Sequence, residues 1–300
     1  MKIPGLKGFI AYILEREAIR LRKMAGEPWP WTEDKILQTY KFTNVRRLHD
    51  KTTQAFKEIY DLNAPHGSFV DCLMNAATFR YFGTRRWASI VGWQQPWKAK
   101  YTLHLAHSAM DAGDVIFTGA YVITNGGRHG RKEDVVVEYL TELAKQAHYI
   151  CDVMEGSKRW QRGAEAMYRL PGFGGTGFMT KEVLQDYLLM WPGKYLEDAS
   201  TWTPVGDGGR RGINRLYGRP LLQNLAKKQG WLEEILAVRD NINAAWHKPY
   251  PAADSLTAHD IQFCLCEWDK FERTRLGQGR PRGLYRPPEQ RHLRNGIEIA

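Results

Sequence analysis

Asp260 and Glu267 lie seven residues apart in a stretch of helical periodicity, which puts them on one face with Cys264 between them. A carboxylate pair of this kind can act as a general base and bind a cationic group. Arg46 and Arg47 open one helix; Arg210, Arg211 and Asn214 begin another. Guanidinium forks fit phosphate oxygens, so the set could hold a phosphate-bearing group. Solvated surface arginines and solvated helix acids are the ordinary alternatives. His49, His104, His107 and His259 lack metal-ligand spacing such as HExxH, so structural roles are expected for them, with no metal or cofactor.

The string Leu170-Pro171-Gly172-Phe173-Gly174-Gly175 sits between two helical patterns. In a helix-hairpin-helix, glycines let backbone N–H groups approach a phosphate, and the second helix adds its dipole. Gly172, Gly174 and Gly175 are the expected DNA-backbone contacts, with Lys181 one turn into the second helix and Arg159 in the first. Lys158, Arg162 and Arg169 add charge. Such contacts position a protein on DNA and read no sequence. An ordinary helix–loop–helix connection is the alternative. A net charge of +10 over 300 residues favours a polyanionic partner, since Lys and Arg release counterions from phosphate.

Helices must position these groups. Leu6, Phe9, Ile10, Ile13 and Leu14 form an apolar stripe closed by Gly26 and Pro28, and Thr32 can cap a second helix. Val45, Leu48, Ala55, Phe56 and Ile59 define a third; Phe69, Cys72, Leu73 and Ala76 a fourth, ended by Gly83; residues 98–112 a fifth. Residues 115–124 (VIFTGAYVIT) break the pattern as a short strand or extended loop. A long helix follows with Val137, Leu140, Leu143, Ala147 and Cys151 on one face. Further helices are expected at 157–169, 176–190, 220–229, 231–246 and 257–275. Residues 1–275 read as a single helical unit of two packed lobes with the hairpin at 158–190, and 276–300 as a basic Pro- and Arg-rich tail, on the surface or disordered. Cys72, Cys151, Cys264 and Cys266 form no CxxC pair and no iron–sulfur spacing, so reduced thiols in a cytoplasmic protein are expected. No stretch reaches ~18 continuous apolar residues and residues 1–8 lack a signal-peptide core, so neither membrane nor secretion is expected.

The hairpin resembles that of the helix-hairpin-helix DNA glycosylase superfamily, where a conserved aspartate follows, ahead of a helix of the form PVDxxVxRVxxR. Residues 203–216 (TPVGDGGRRGINRL) are similar but richer in glycine and arginine, and Asp198 and Asp207 become rival catalytic carboxylates. Where bifunctional members carry a Schiff-base lysine this chain has Thr176, so that nucleophile is missing from its usual place. A closer resemblance, over most of the chain, is to the α-glutamyl/putrescinyl thymine pyrophosphorylases, the amino acid:DNA transferases of phage thymidine hypermodification. It rests on residues 15–22 (EREAIRLR), Pro30-Trp31-Thr32, residues 42–47 (FTNVRR), 117–121 (FTGAY), 209–212 (GRRG) and 259–270 (HDIQFCLCEWDK). It implies an all-α, two-lobed, helix-hairpin-helix glycosylase-like fold. It also implies an enzyme of the phage-infected bacterial cytoplasm that replaces the pyrophosphate of an activated 5-hydroxymethyluracil in double-stranded DNA with a free amino acid or polyamine. For that reaction Asp260 and Glu267 are expected as general base and amine binder, and Arg46, Arg47, Arg210, Arg211 and Asn214 as holders of the departing pyrophosphate. Such an enzyme would extrude its target nucleotide, with Trp29, Trp31, Trp93 and Trp97 as wedge or stacking candidates, although core packing is the commoner role. An excision glycosylase acting on a modified thymine and a non-catalytic DNA-binding module are the alternatives.

Overall fold

The computed structural model of the chain describes residues 3–60, 67–119, 123, 129–226, 230–251 and 255–287. Among them it forms twelve α-helices and two 3₁₀ turns, with one isolated antiparallel bridge, between Tyr40 and Leu284, and no strand. The chain is all-α. It divides into two compact units, Met1–Arg47 with Asp207–Ala300, and Leu48–Gly206. No described helix is long and apolar enough to cross a membrane.

The Leu48–Gly206 unit holds α3 (Lys51–Ile59), α4 (Phe69–Phe82), α5 (Arg85–Val91), α6 (Ala99–Asp111), α7 (Lys132–Ser157), α8 (Trp160–Met167) and α9 (Phe178–Leu189). Helix α4 is its centre, buried from Asp71 to Phe82 and packed on α7 and α9. A Ser68–Asp71 capping box starts it and left-handed Gly83 ends it. Arg80 lies wholly inside: its Nε donates to Asp186 Oδ2 at 2.7 Å, its Nη2 to Asp186 Oδ1, and its Nη1 to Glu182 Oε2 at 3.2 Å. The stretch expected as strand or loop has no strand among its described residues. Phe117 stacks on Phe82 at 4.8 Å, and Thr118 N donates to Phe82 O at 2.6 Å. Ala120, Tyr121 and Arg128 lie outside the described residues.

The other unit holds α1 (Leu6–Met24), α2 (Lys35–Thr39), α10 (Asp207–Leu216), α11 (Gly230–Trp246) and α12 (Ala258–Arg275). Helix α12 is its axis, begun by a Thr257–Asp260 capping box, with Trp268 and Phe271 meeting Phe9 and Tyr12 of α1. Helix α10 lies so close to α12 that a Cβ at Gly212 would stand 2.2 Å from the Leu265 carbonyl oxygen. Only glycine permits that approach.

The structure differs from the local expectations at three points. Asp34 caps α2, accepting from Ile36 and Leu37, while Thr32 supports Asp34 itself. Val45 and Leu48 precede α3 in a segment held by other means, described below. Residues 220–226 form turns, because the buried Asn214 amide binds the carbonyls of Leu221 and Gln223. The start of the basic tail is paired: Tyr285 N donates to Thr39 O and Lys41 N to Gly283 O, each at 2.9 Å, and Tyr285 meets Trp31 edge-on. Residues 288–300 lie outside the described residues.

Candidate functional site

The segment from Lys41 to Arg47 has no regular secondary structure apart from a 3₁₀ turn beginning at Arg47, so its backbone groups need other partners. Helix α12 supplies them from one face. Lys270 Nζ donates to Lys41 O at 2.9 Å, and Glu267 Oε2 accepts from Thr43 N at 3.2 Å. Cys264 Sγ donates to Val45 O at 3.6 Å, and Asp260 Oδ1 accepts from Arg47 N at 2.9 Å. Positions 260, 264, 267 and 270 repeat at three or four residues, the spacing of one helical stripe. They meet positions 47, 45, 43 and 41 in descending order. From α1, buried Arg16 donates to both Thr43 O and Thr43 Oγ1 and approaches Cys264 Sγ at 3.7 Å.

Of the two expected catalytic acids, Asp260 is buried and uses both oxygens: Oδ1 on Arg47 N, Oδ2 on the backbone N and hydroxyl of Thr257. Glu267 is tied to Thr43 and also pairs with Lys270 at 2.5 Å. Burial pushes the Cys264 thiol up to about 12, so it is a neutral donor and not a nucleophile near neutral pH.

The phosphate-directed group separates. Arg47 is buried, its guanidinium 4.0 Å from the Phe263 ring, and Arg46 beside it is half-buried. Arg210 lies over Trp231 at 5.8 Å, with a buried Nε that has no hydrogen-bond partner among the described residues. Arg211 bonds Asp269 at 2.8 Å, a carboxylate it shares with Arg215. Asn214 faces inward onto the 221–223 turn and is fully buried, which removes it from the surface set. Phe263 and Cys266, one turn apart on α12, connect the two arginine segments: Phe263 carries Arg47, and a Cβ at Gly208 of α10 would meet Cys266 Sγ at 3.0 Å. Asp207 is the exposed first residue of α10.

In the other unit, the turn between α8 and α9 carries the expected hairpin residues. Gly172 has φ +81° and accepts from Tyr81 Oη at 2.7 Å; a Cβ there would strike the Tyr139 ring at 2.5 Å. Gly174 would likewise meet Tyr168 O at 2.8 Å, whereas Gly175 is exposed in open space. These first two glycines are required by packing whatever else they do. Lys181 is buried against Phe178 at 5.3 Å, so it does not stand on the surface as expected. Arg159 and Arg169 are exposed, and an open groove of about 430 Å³ is lined by Tyr149, Ser157, Arg162, Glu165 and Arg169. Asp198 caps α8, accepting from Trp160 N at 2.8 Å and Gln161 N at 3.1 Å, and burial raises its carboxyl against the pull of those N–H groups. Trp31 is buried; Trp29, Trp93 and Trp97 are half-buried.

Arg16, Thr43 and Lys270 were missed as site-building residues. The available signal was the polar stripe at 260, 264, 267 and 270, together with Arg16 inside a quoted motif.

The family described as 5-hmdU DNA kinase, helical domain, matches residues 4–280. A curated relative named 5-hmdU DNA kinase, from Bacillus phage SP10, is 25% identical over 231 residues, covering 68% of this chain and 35% of the relative. The chain thus spans about a third of that relative's length. No solved structure matches. With nearly its whole helical body matched, the chain belongs to the 5-hmdU DNA kinase helical-domain family.

Proposed function

We propose that this chain binds DNA at 5-hydroxymethyluridine and serves the modification of that base at its exocyclic 5-methylene carbon. The base comes from the name of the phage relative. The chemistry follows from the arginines and from the resemblance of the sequence to thymine pyrophosphorylases. In the transferase reading an amine nitrogen attacks the methylene carbon, the carbon–oxygen bond breaks with its electron pair going to pyrophosphate, and the amine loses a proton. Arg46 and Arg210 would stabilise the departing anion. The observation that carries this reading is the gathering of residues 16, 43–47, 208–212 and 260–270 about α12 in one unit. The exposed arginines around the α8–α9 turn, with Gly175, supply sequence-independent contacts to the DNA backbone in a helix-hairpin-helix manner.

A second reading is favoured by the kinase name and by the third of that relative which the chain spans. Here the helical chain holds the same base while a nucleotide-binding part phosphorylates its hydroxymethyl group.

The two readings separate by mass spectrometry of nucleosides. Duplexes carrying 5-hydroxymethyluridine are incubated with the protein and ATP; duplexes carrying its pyrophosphorylated form are incubated with a pool of amino acids and polyamines. An amine-linked thymidine with released pyrophosphate is the expected product of the second mixture. A phosphorylated nucleoside in the first mixture alone selects the kinase role. Release of free base with an abasic site overturns both and selects an excision glycosylase; binding that favours 5-hydroxymethyluridine without product is the outcome of the kinase role for this chain by itself, and binding that ignores the base leaves a DNA-binding module.

A further inference from the structure

We infer that Asp260, Cys264, Glu267 and Lys270, with Arg16, are positioning residues that act by setting the shape of residues 41–47, and that neither acid is the base for the incoming amine. This rests on the reading of Arg46 and Arg47 as part of an anion-handling segment. Five backbone groups in seven residues bind side chains: the carbonyls of Lys41, Thr43 and Val45, and the N–H groups of Thr43 and Arg47. A segment built this way has a conformation chosen by its neighbours, and its arginines inherit that conformation. Both Asp260 oxygens are already engaged by the protein, Oδ1 by Arg47 N and Oδ2 by the backbone N and hydroxyl of Thr257. Glu267 faces Lys270 on its own helix and Arg16 lies near it from α1, alongside the Tyr12 hydroxyl and the Cys264 thiol. The Glu267 carboxylate is thus held in place by the Lys270 ammonium and the Thr43 N–H.

The arrangement also accounts for two separate sequence stretches with one geometry. The extended segment advances two residues for each three or four of the helix, so alternate backbone groups meet successive members of the stripe. Arg46 sits between two tied positions, Val45 and Arg47. Its place is therefore set before any anion arrives, which is what a stabiliser of a departing charge requires.

The test uses Glu267→Gln, Glu267→Ala and Asp260→Asn in the full chain. Amide hydrogen exchange at Thr43 and Arg47 reads the clamp directly, whatever reaction the protein performs. A charge-assisted bond lost from a backbone N–H speeds local exchange roughly ten- to a hundredfold. Glu267→Ala should do this at Thr43, and Glu267→Gln, which keeps an acceptor oxygen, should restore most of the protection. Binding of inorganic pyrophosphate, measured by calorimetry, should weaken in Glu267→Ala and recover in Glu267→Gln. For Asp260→Asn, transfer from the activated duplex should keep the pH profile of the parent while pyrophosphate binding weakens. Unchanged exchange at Thr43 in Glu267→Ala overturns the clamp, even if transfer is lost. A displaced pH profile in Asp260→Asn or Glu267→Gln, with exchange and pyrophosphate binding as in the parent, makes that acid the base. If no transfer occurs in the parent, the function proposed above fails while the exchange results still decide the clamp. Should Asp260→Asn not fold, the two Glu267 variants carry the decision.

Discussion

The two units bury polar groups to different ends. At the centre of Leu48–Gly206 charges meet one another: Arg80 of α4 faces Asp186 and Glu182 of α9, between regular helices, while Asp198 binds the start of α8. In the unit formed by Met1–Arg47 and Asp207–Ala300, the buried and half-buried side chains of α12 and α1 bind backbone, shaping a segment that has no helix of its own. Glycine is divided in the same way. Around residues 172–177 it turns the chain, with three positive φ values, whereas at 208 and 212 it lies in a helix and lets α10 seat on α12. Buried charge in the first case specifies a fold. In the second it specifies the posture of two arginines, which is why the anion-handling role is assigned to that unit.

The most severe break should come at Gly212. Valine there would place a Cβ against the Leu265 carbonyl, a backbone atom that cannot rotate away. A loss of more than about 4 kcal/mol is expected, enough to detach α10. Gly175→Ala, with open space but φ +66°, should cost only about 1–2 kcal/mol. Urea unfolding followed by circular dichroism compares them. Equal losses would remove the distinction between packing glycines and turn glycines.

Next in size is Arg80→Met. It leaves Asp186 and Glu182 buried without their shared cation, a change that costs about 3–5 kcal/mol in comparable pairs. Replacing all three by apolar residues should recover much of that loss. A triple variant as unstable as the single one would mean that the cluster contributes more than its own mutual neutralisation.

Much of this was legible beforehand, and the exceptions share a cause. The Gly83 stop of α4 is local and was read directly, and the range 257–275 agrees with α12 to one residue. Asp34 displaced Thr32 as the cap because the helix starts two residues later, where the Asp34 carboxylate reaches the Ile36 and Leu37 N–H groups. Residues 45–48 carried apolar spacing that suggested helix, but long-range bonds to positions 260–270 overrode it. The same distance hid the role of the acids: a carboxylate on a helix face looks alike whether its partner is substrate, water or a backbone N–H more than two hundred residues away. Lys181 and Asn214 were misplaced for the related reason that a polar residue's type does not reveal which side of its helix is covered.

A smaller effect is expected at Asp198, which caps α8 with both oxygens. Alanine there should cost about 1 kcal/mol. The pH dependence sharpens this. Its carboxyl is raised in the folded chain, chiefly by burial, so the proton is held more tightly folded than unfolded. The stability due to that shift is therefore present below the unfolded pKa of an aspartate, about 3.9, and is lost as pH rises through the raised folded value. The parent should lose stability relative to Asp198→Asn across that interval. A relative gain instead would mean that the Trp160 and Gln161 N–H groups outweigh burial.

The smallest expected effect lies on the surface of the same unit and distinguishes its role from that of α12. Arg159 is exposed at the start of α8, and Arg169 is exposed just before the glycine turn. If they contact phosphates, each change to glutamine removes one counterion-release term, lowering the slope of log affinity against log salt by about 0.9. The loss should be the same for plain duplex and for duplex carrying 5-hydroxymethyluridine, because backbone contacts read no base. Arg46→Gln should show the opposite pattern, with little change on plain duplex and weaker binding only when the base carries pyrophosphate. Titrations at three salt concentrations with the three duplexes measure both slopes at once. If Arg46→Gln lowers the slope on plain DNA as much as Arg159→Gln does, the 41–47 segment is a general DNA contact, and the division of labour between the units disappears.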